Sequence, residues 1–296
     1  MLKKGFSLIE LSIVILIVGI IIAGVAQSSR LTTQFKLSSA RSQTQNSPVN
    51  SIPDLAAWYE TTKEESFNDS EAADSSKITT WRDINPASND HHNVISNAPP
   101  STSPTYIANC INQLPCLRFN GSGNYLAFGA SGGNFLINTD YTIFVIEQRR
   151  ASTEGYFFGS SYGVLAENDR VMLGYATDSM LLYSHDANDY VVMIDNYSTP
   201  TPKLHSFRFN SASASDSRTY FLNGAQVALV DYDADPVISP ITANSFTTIG
   251  FSTGTGFSGY FNGDIAEIII FTRALNAKER SAVEGYLGKK WGIATP

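Results

Sequence analysis

The chain has 296 residues, 43% of them hydrophobic and 16% charged, with a net charge of −7 and a mean hydropathy of −0.09. That average excludes a polytopic membrane protein and a charge-rich disordered chain. Beyond residue 50, 15 Lys and Arg face 26 Asp and Glu, and no basic run exceeds a pair such as Arg149-Arg150 or Lys289-Lys290. A nucleic-acid partner, which needs a clustered basic surface, is therefore not expected.

Residues 6–25 (FSLIELSIVILIVGIIIAGV) form an apolar block with one charge, Glu10. As a helix the block is long enough to cross a hydrocarbon core of ~30 Å. A secretory signal peptide accounts for Lys3 and Lys4 and offers Gly24-Val25-Ala26 as a cut site, but its apolar core is shorter, about 7–15 residues. A plain membrane anchor accounts for the length but not for Glu10, because charges inside membrane segments are costly and usually functional.

A third reading covers every part. MLKKG followed by FSLIELSIVILIVGIIIAGV resembles the N-terminus of type IV prepilins and pseudopilins. The resemblance rests on a short basic leader ending in Gly5, then Phe6, the Ser-Leu-Ile-Glu run ending at Glu10, and an unbroken apolar helix. It implies that a prepilin peptidase cuts after Gly5 and methylates the new N-terminal amine of Phe6. It also implies that Glu10 pairs with the N-terminal amine of a neighbouring subunit during assembly. A carboxylate among packed helices is tolerable only beside such a cation. Gly19 and Ala23 are either a small-xxx-small contact between helices or plain spacing residues facing lipid.

Neither Gly nor Pro occurs between Val25 and Ser47, so the helix is predicted to run on to Gln45 until Pro48 and Pro53 end it. Leu31 and Phe35 keep its i, i+4 spacing, whereas Leu37 falls off that face. The boundaries that follow are a leader at 1–5, a transmembrane and assembly helix at 6–46, a linker at 47–53 and a β domain at 54–296. Many pilins carry a proline in this helix. Here the first is Pro48, which leaves open a pilus subunit proper, a minor subunit or a pseudopilin. Arg30, Lys36 and Arg41 outnumber the leader lysines, so the positive-inside rule does not set the orientation.

From Asp54 the texture is all-β. Strands are predicted at 141–148, 170–176, 190–195, 204–210, 246–251 and 264–271. Arg218–Leu222 and 225–230 flank Asn223-Gly224, a strong hairpin signal. Many close strands without helical periods between them argue a sandwich. One helix closes the domain: Asn276 and Glu279 make a capping box, and Val283, Leu287 and Trp291 line one face that should pack on the sandwich edge. Cys110 and Cys116 are too few for a disulfide scaffold or a four-cysteine zinc site. Outside the cytosol they form a small bridge worth about 2 kcal/mol; the alternative is two buried thiols.

The domain resembles the laminin G-like, concanavalin A-like jelly rolls. The pieces that carry this are LAAWYE (Leu55–Glu60), ITTWRD (78–83), LPCLRFNGSGNYL (114–126), the Asn223-Gly224 hairpin and FNGDIAEIIIFTRALNAKERSAVEGYLGKKWGI (261–293). The resemblance implies two packed antiparallel sheets and, commonly, binding of carbohydrate or protein. The expected fold is thus a mainly β antiparallel jelly-roll sandwich preceded by one long N-terminal helix, transmembrane in its first half.

Tests for chemistry are mostly negative. G-x-S-x-G occurs at Gly129–Gly133, Gly159–Gly163 and Gly250–Gly254, none with the helix that a nucleophile elbow needs. Gly254–Gly259 matches G-x-G-x-x-G but leads into a strand. Retaining glycosidases need two carboxyls about 5 Å apart, and no alternating acidic run supplies them. Glu147 and Glu267 sit alone on apolar strands, as buried carboxylates bonded to backbone or Arg, or as a pair if the strands adjoin. The four histidines lack zinc spacing. Calcium has weak candidates in Asp83 and Asp90, and in the run Asp231, Asp233 and Asp235. Tyr162, Tyr197, Tyr232 and Phe257 are loop aromatics able to stack on sugar rings.

The sequence therefore predicts a non-enzymatic type IV pilin-like subunit, minor or at a tip. It is inserted as a precursor in the cytoplasmic membrane with its β domain outside the cytosol, and displayed on the cell surface after assembly. Its expected partners are prepilin peptidase, other pilin subunits, membrane lipid and a glycan or a host or matrix protein. The alternatives are a ligand-free pseudopilin of a secretion machine and a membrane-anchored glycan-acting enzyme.

Overall fold

A computed structural model describes residues 7–88, 91–129, 134–160, 171–185, 188–194, 199–213, 217–232, 240–242, 247–253 and 256–296. Helix α1 (Leu8–Gln45) starts on Ser7, whose hydroxyl accepts from the Glu10 N–H while Glu10 Oε2 accepts from the Ser7 N–H at 2.9 Å. This reciprocal box satisfies two of the donors that every helix start leaves open. All residues from 8 to 22 are exposed, with apolar side chains on every side. Among the described residues no helix is long and apolar enough to cross a membrane; at 1.5 Å per residue the stretch 8–22 measures about 22 Å.

The last turns of α1 are built into the β domain. Leu31 and Phe35, expected to continue its apolar face, are exposed, whereas Leu37, Ala40 and Thr44 turn inward. Arg41 donates from Nε to the Thr62 carbonyl at 2.7 Å and pairs with Glu64 at 2.6 Å. Residues 47–53, expected as a linker, are no free connector. Pro48–Ser51 form a 3-10 turn, Val49 is fully buried and Ile52 packs beside it.

Among the described residues nineteen strands follow in chain order: β1 (Leu55–Glu60), β2 (Thr80–Trp81), β3 (Val94–Ile95), β4 (Thr105–Ile107), β5 (Cys116–Asn120), β6 (Leu126–Phe128), β7 (Tyr141–Arg149), β8 (Gly155–Ser160), β9 (Val171–Thr177) and β10 (Met180–His185). The rest are β11 (Asn188–Met193), β12 (Lys203–Phe209), β13 (Arg218–Leu222), β14 (Ala225–Val227), β15 (Val230–Asp231), β16 (Thr247–Ile249), β17 (Phe251–Thr253), β18 (Ser258–Tyr260) and β19 (Asn262–Phe271). The first sheet runs β14-β13-β12-β7-β19-β5-β4, and β1 shares the β5 edge of the long β19. The second runs β15-β11-β10-β9-β8-β16-β6-β3-β2, with β17 and β18 added beside β8. Among the described residues the pairings are antiparallel except the contact of β18 with β8. The expected single strand at 246–251 is two, β16 and β17, split at Gly250, whose φ of +89° suits glycine.

Alternation explains the layers. On β7, Tyr141, Ile143 and Val145 face the second sheet, while Phe144 and Ile146 face outward. Helix α2 (Ala277–Trp291) covers that outward face with Val283, Leu287 and Trp291. It therefore lies on the sheet's face, where the strands' second set of apolar residues needs cover, and not on the edge as expected. Asn276 and Glu279 cap it as predicted, and Gly292 at φ +70° ends it. Cys110 and Cys116 are bonded, S–S 1.96 Å.

A chain beginning at Asp54 loses Ala40, Thr44, Val49 and Ile52 from this outer layer, and burial of Val49 alone is worth about 2 kcal/mol. Thermal melts should place its Tm roughly 4–8 °C below that of a chain beginning at Leu31. Equal melting temperatures would mean that residues 31–53 do not brace the sandwich.

Candidate functional site

The two carboxylates singled out as a hypothetical catalytic pair are on adjacent strands but opposite faces. Glu147 lies opposite Ile265, and Glu267 opposite Ile146, with an irregularity in β19 between Ile265 and Glu267. Strict alternation would place Glu267 on the same side as Ile265, toward Glu147. The bulge instead leaves Ala266 and Glu267 both on the outer side, among the residues under α2. Both carboxylates are fully buried, so the pair-in-a-groove arrangement that hydrolysis needs is not formed.

Each carboxylate has its own partners. Glu267 Oε1 accepts from Trp58 Nε1 at 2.8 Å and from the Tyr286 hydroxyl at 2.7 Å; Oε2 accepts from Trp291 Nε1 at 2.7 Å and Lys290 Nζ at 2.9 Å. Lys290 Nζ also donates to Glu60 Oε2 at 2.9 Å and to Thr44 Oγ1 at 2.8 Å. Glu60 and Glu267 face each other directly across β1 and β19, a like-charge pairing that costs stability unless a cation sits over it. The expectation of backbone or Arg partners is corrected: the cation is a lysine with both indoles helping. Burial pushes the Lys290 ammonium down, but Glu267 and Glu60 outweigh it and hold the pKa above its ordinary value. Burial, then Glu267 and Glu60, push the Tyr286 phenol up.

Lys290 was visible in the sequence only as half of a basic pair. Its position, three after Leu287 and seven after Val283, puts it on the buried face of α2, and that period is the signal that marks it.

Glu147 points between the sheets. Its Oε1 accepts from the Tyr175 hydroxyl at 2.7 Å and bonds His205 Nε2 at 2.9 Å, while His205 Nδ1 bonds the Tyr220 hydroxyl at 2.9 Å. Burial drives the His205 pKa down, more than its bond to Glu147 raises it. The imidazole is therefore neutral, donating from Nε2 and accepting from Tyr220 at Nδ1. This network has no solvent contact and holds the two sheets together.

The other sequence candidates sit apart. Gly5, Phe6, Asp90, Asp233, Asp235, Tyr162 and Tyr197 lie outside the described residues. Asp83 is buried beside a cleft of about 310 Å³. Its Oδ1 accepts from the Trp58 and Asn85 amides and its Oδ2 from the His92 amide, at 2.8–3.1 Å, which makes it a loop brace. Asp231 is on the exposed edge strand β15. Among the described residues the one cluster of three metal-competent side chains is Cys110, Cys116 and Asp264; its cysteines are bonded to each other and its carboxylate is paired with Arg118 at 2.6 Å. Ser252 of Gly250–Gly254 lies buried within β17, with no helix after it. Tyr232 is exposed, and its ring centre is 6.0 Å from that of Phe257.

Residues 1–26 match the family described as the prokaryotic N-terminal methylation motif. No curated protein sequence matches the chain. Among solved structures, a Trypanosoma rangeli sialidase in complex with 2-keto-3-deoxy-D-glycero-D-galacto-2,3-difluoro-nononic acid aligns with a TM-score of 0.50 at 12% identity, over 80% of this chain and 33% of that one. The CBM40 of a Ruminococcus gnavus IT-sialidase, bound to α2,6 sialyllactose, aligns at 0.44 and 15% identity, over 57% of this chain and 96% of that one. A leech intramolecular trans-sialidase aligns at 0.44 and 18% identity, over 61% and 27%. The chain thus spans a third of the trypanosomal enzyme, and at 12% identity that likeness speaks to the β-sandwich fold alone. The protein is a mainly β sandwich behind an N-terminal helix that carries the methylation motif.

Lys290→Met leaves two facing carboxylates without their cation, and denaturant unfolding should register a loss of about 3–5 kcal/mol. Because the native Lys290 pKa is raised, its contribution is complete below about pH 10.4, the ordinary lysine value, and is lost as pH rises through the native value above that. His205 has the opposite sense. Its depressed native pKa gives stability above about pH 6.5 that is lost as pH falls toward the native value. The acid limb it adds has a slope of at most ~1.4 kcal/mol per pH unit and should shrink in His205→Gln. Unfolding curves from pH 7 to 5 on both proteins check this.

Proposed function

We propose that the chain is a type IV pilin-like subunit whose sandwich is a lectin-like adhesive head. The observation that carries this is the first helix: it bears the methylation motif, presents apolar side chains on every side over residues 8–22 and is braced into the head at its other end. A helix that is apolar all round belongs in lipid or in a bundle of its own kind, and a pilin helix occupies each in turn. In the precursor, residues 6–25 span the cytoplasmic membrane with the sandwich outside the cytosol. Prepilin peptidase cuts after Gly5 and methylates Phe6.

The geometry of Ser7 and Glu10 supports the assembly step. The capping box holds the Glu10 carboxylate at the helix start, where the helix dipole is positive and a carboxylate is favoured. Cleavage places a cationic amine on Phe6, one residue from Ser7. In the filament each Glu10 takes the amine of a neighbouring subunit as its counter-ion, which sets the register between helices. The head, about 240 residues, is bulky for a repeating lattice and suits a minor or tip position. There it is displayed for adhesion to carbohydrate or to a host or matrix protein.

Mass spectrometry of mature protein should find N-methylated Phe6 as the first residue; a start near Gln27 would instead make residues 1–26 an ordinary signal peptide. Glu10→Ala should leave cleavage intact yet lower incorporation into filaments at least about tenfold, the factor set by only 1.4 kcal/mol of lost pairing. Undiminished incorporation would remove Glu10 from assembly.

A further inference from the structure

Outside α1, the described residues leave three large apolar side chains exposed: Ile95, Val230 and Tyr232. Two of the three are neighbours. Strand β15 forms one edge of the second sheet, and its Val230 pairs with Val191 in β11. Directly paired residues share a face, so Val230 lies on the outer side of that sheet with Val191. The same side holds a buried apolar cluster of Tyr156, Met172, Ala176, Leu182 and Val191, and Phe257 packs on it. Tyr232 leans on Phe257, ring centres 6.0 Å apart and planes at 60°, with 58% of its surface open to solvent.

Glu154 completes the group. Its Oε1 accepts from the Ser258 N–H at 2.7 Å and the Tyr156 hydroxyl at 2.8 Å, which fixes the backbone next to Phe257. Gly259 makes that approach possible, since a Cβ there would lie 2.9 Å from the Glu154 carbonyl oxygen. The second Glu154 oxygen has no partner among the described residues.

We propose that Tyr232, Phe257 and Glu154 form a subsite for one neutral pyranose ring. The polarised C–H groups of a sugar's flatter face sit well against the negative face of an aromatic ring, and the exposed face of Tyr232 offers one. Phe257, held on the apolar layer beneath, makes the platform rigid before any ligand arrives, so little side-chain freedom is lost on binding. Glu154 Oε2 accepts a hydroxyl hydrogen bond, which a charged acceptor strengthens. The sign of the ligand follows from the surroundings. Glu154 stands beside the platform, in a domain that beyond residue 50 carries 26 acidic against 15 basic residues. A sialic or uronic acid is repelled there, and a neutral hexose or N-acetylhexosamine is not. The patch of two aromatic rings and a valine suits one sugar ring; it is small beside the ~800 Å² per partner that a stable protein interface buries.

The subsite rests on the reading of the sandwich as a carbohydrate-binding head, and the test separates the two. The full chain, held in detergent micelles, is applied to immobilised galactose-, glucose- and N-acetylglucosamine-terminated oligosaccharides and to their sialylated counterparts. Binding should favour the neutral glycans. It should fall at least tenfold in Tyr232→Ala and in Phe257→Ala, persist in Tyr232→Phe, which keeps the ring, and weaken in Glu154→Gln. Circular dichroism checks that each variant folds, and the exposed Tyr232 supplies a variant that does not disturb the core. Glycan binding that survives Tyr232→Ala would overturn the subsite and leave the adhesive head standing. Stronger binding of the sialylated set would overturn the ligand class. No binding by the wild-type chain to any glycan would overturn the carbohydrate reading of the head and the subsite with it.

Discussion

The ammonium of Lys290 sits 2.9 Å from two carboxylates that lie opposite one another across β1 and β19, and much of the molecule is arranged around that contact. Two buried like charges in register are unfavourable without a cation. The cation arrives on α2, which is thereby pinned to the outer face of the first sheet. The two indoles of Trp58 and Trp291 and the Tyr286 hydroxyl spend their donors on Glu267, so three polar groups that would cost energy in an apolar layer are satisfied together. Thr44 adds the end of α1 to the same node. One cluster thus joins the first helix, the first and last strands and the last helix of a chain whose ends are far apart in sequence.

That junction matters for what the first helix does. A rod attached through a free linker transmits neither orientation nor force to its head. Here Val49 is buried beside Trp58, Leu287 and Trp291 in one apolar cluster, and Arg41 binds the loop after β1. The direction in which α1 leaves the sandwich is therefore set by packing. In a filament built from such helices, the orientation of the head follows from the orientation of the rod.

The buried carboxylates of β7 and β19 differ by face. On the outer side of the first sheet Glu267 and Glu60 are paired with the Lys290 ammonium; between the sheets, Glu147 is met by the Tyr175 hydroxyl and a neutral imidazole. Neither group reaches solvent, and neither resembles a site where substrate and water meet. The aromatics follow the same logic. Many of them fill the space between the sheets or lie under α2, and among the described residues outside α1 Tyr232 is the aromatic left exposed.

Sequence alone was enough for the elements that local rules govern. The uninterrupted apolar run and the lack of Gly and Pro before Ser47 specified α1 to Gln45. Asn223-Gly224 specified its hairpin, and Asn276 with Glu279 specified the start of α2. In each case the interaction is between residues a few positions apart, so the pattern is complete within the segment. Cys110 and Cys116 were expected to bond if the domain lies outside the cytosol, with two buried thiols as the alternative, and they are bonded. Tertiary structure decided the rest. It turned residues 47–53 from a linker into part of an apolar layer, and it put α2 on a sheet face because β7 and β19 carry apolar residues on both sides. It sent Glu267 to the lysine side through one extra residue in β19, and it brought Tyr232 against Phe257. A bulge reverses which face a side chain takes, and contacts between residues distant in the chain depend on which strands are neighbours. Neither is written in any local period, so neither is readable until the sheets are assembled.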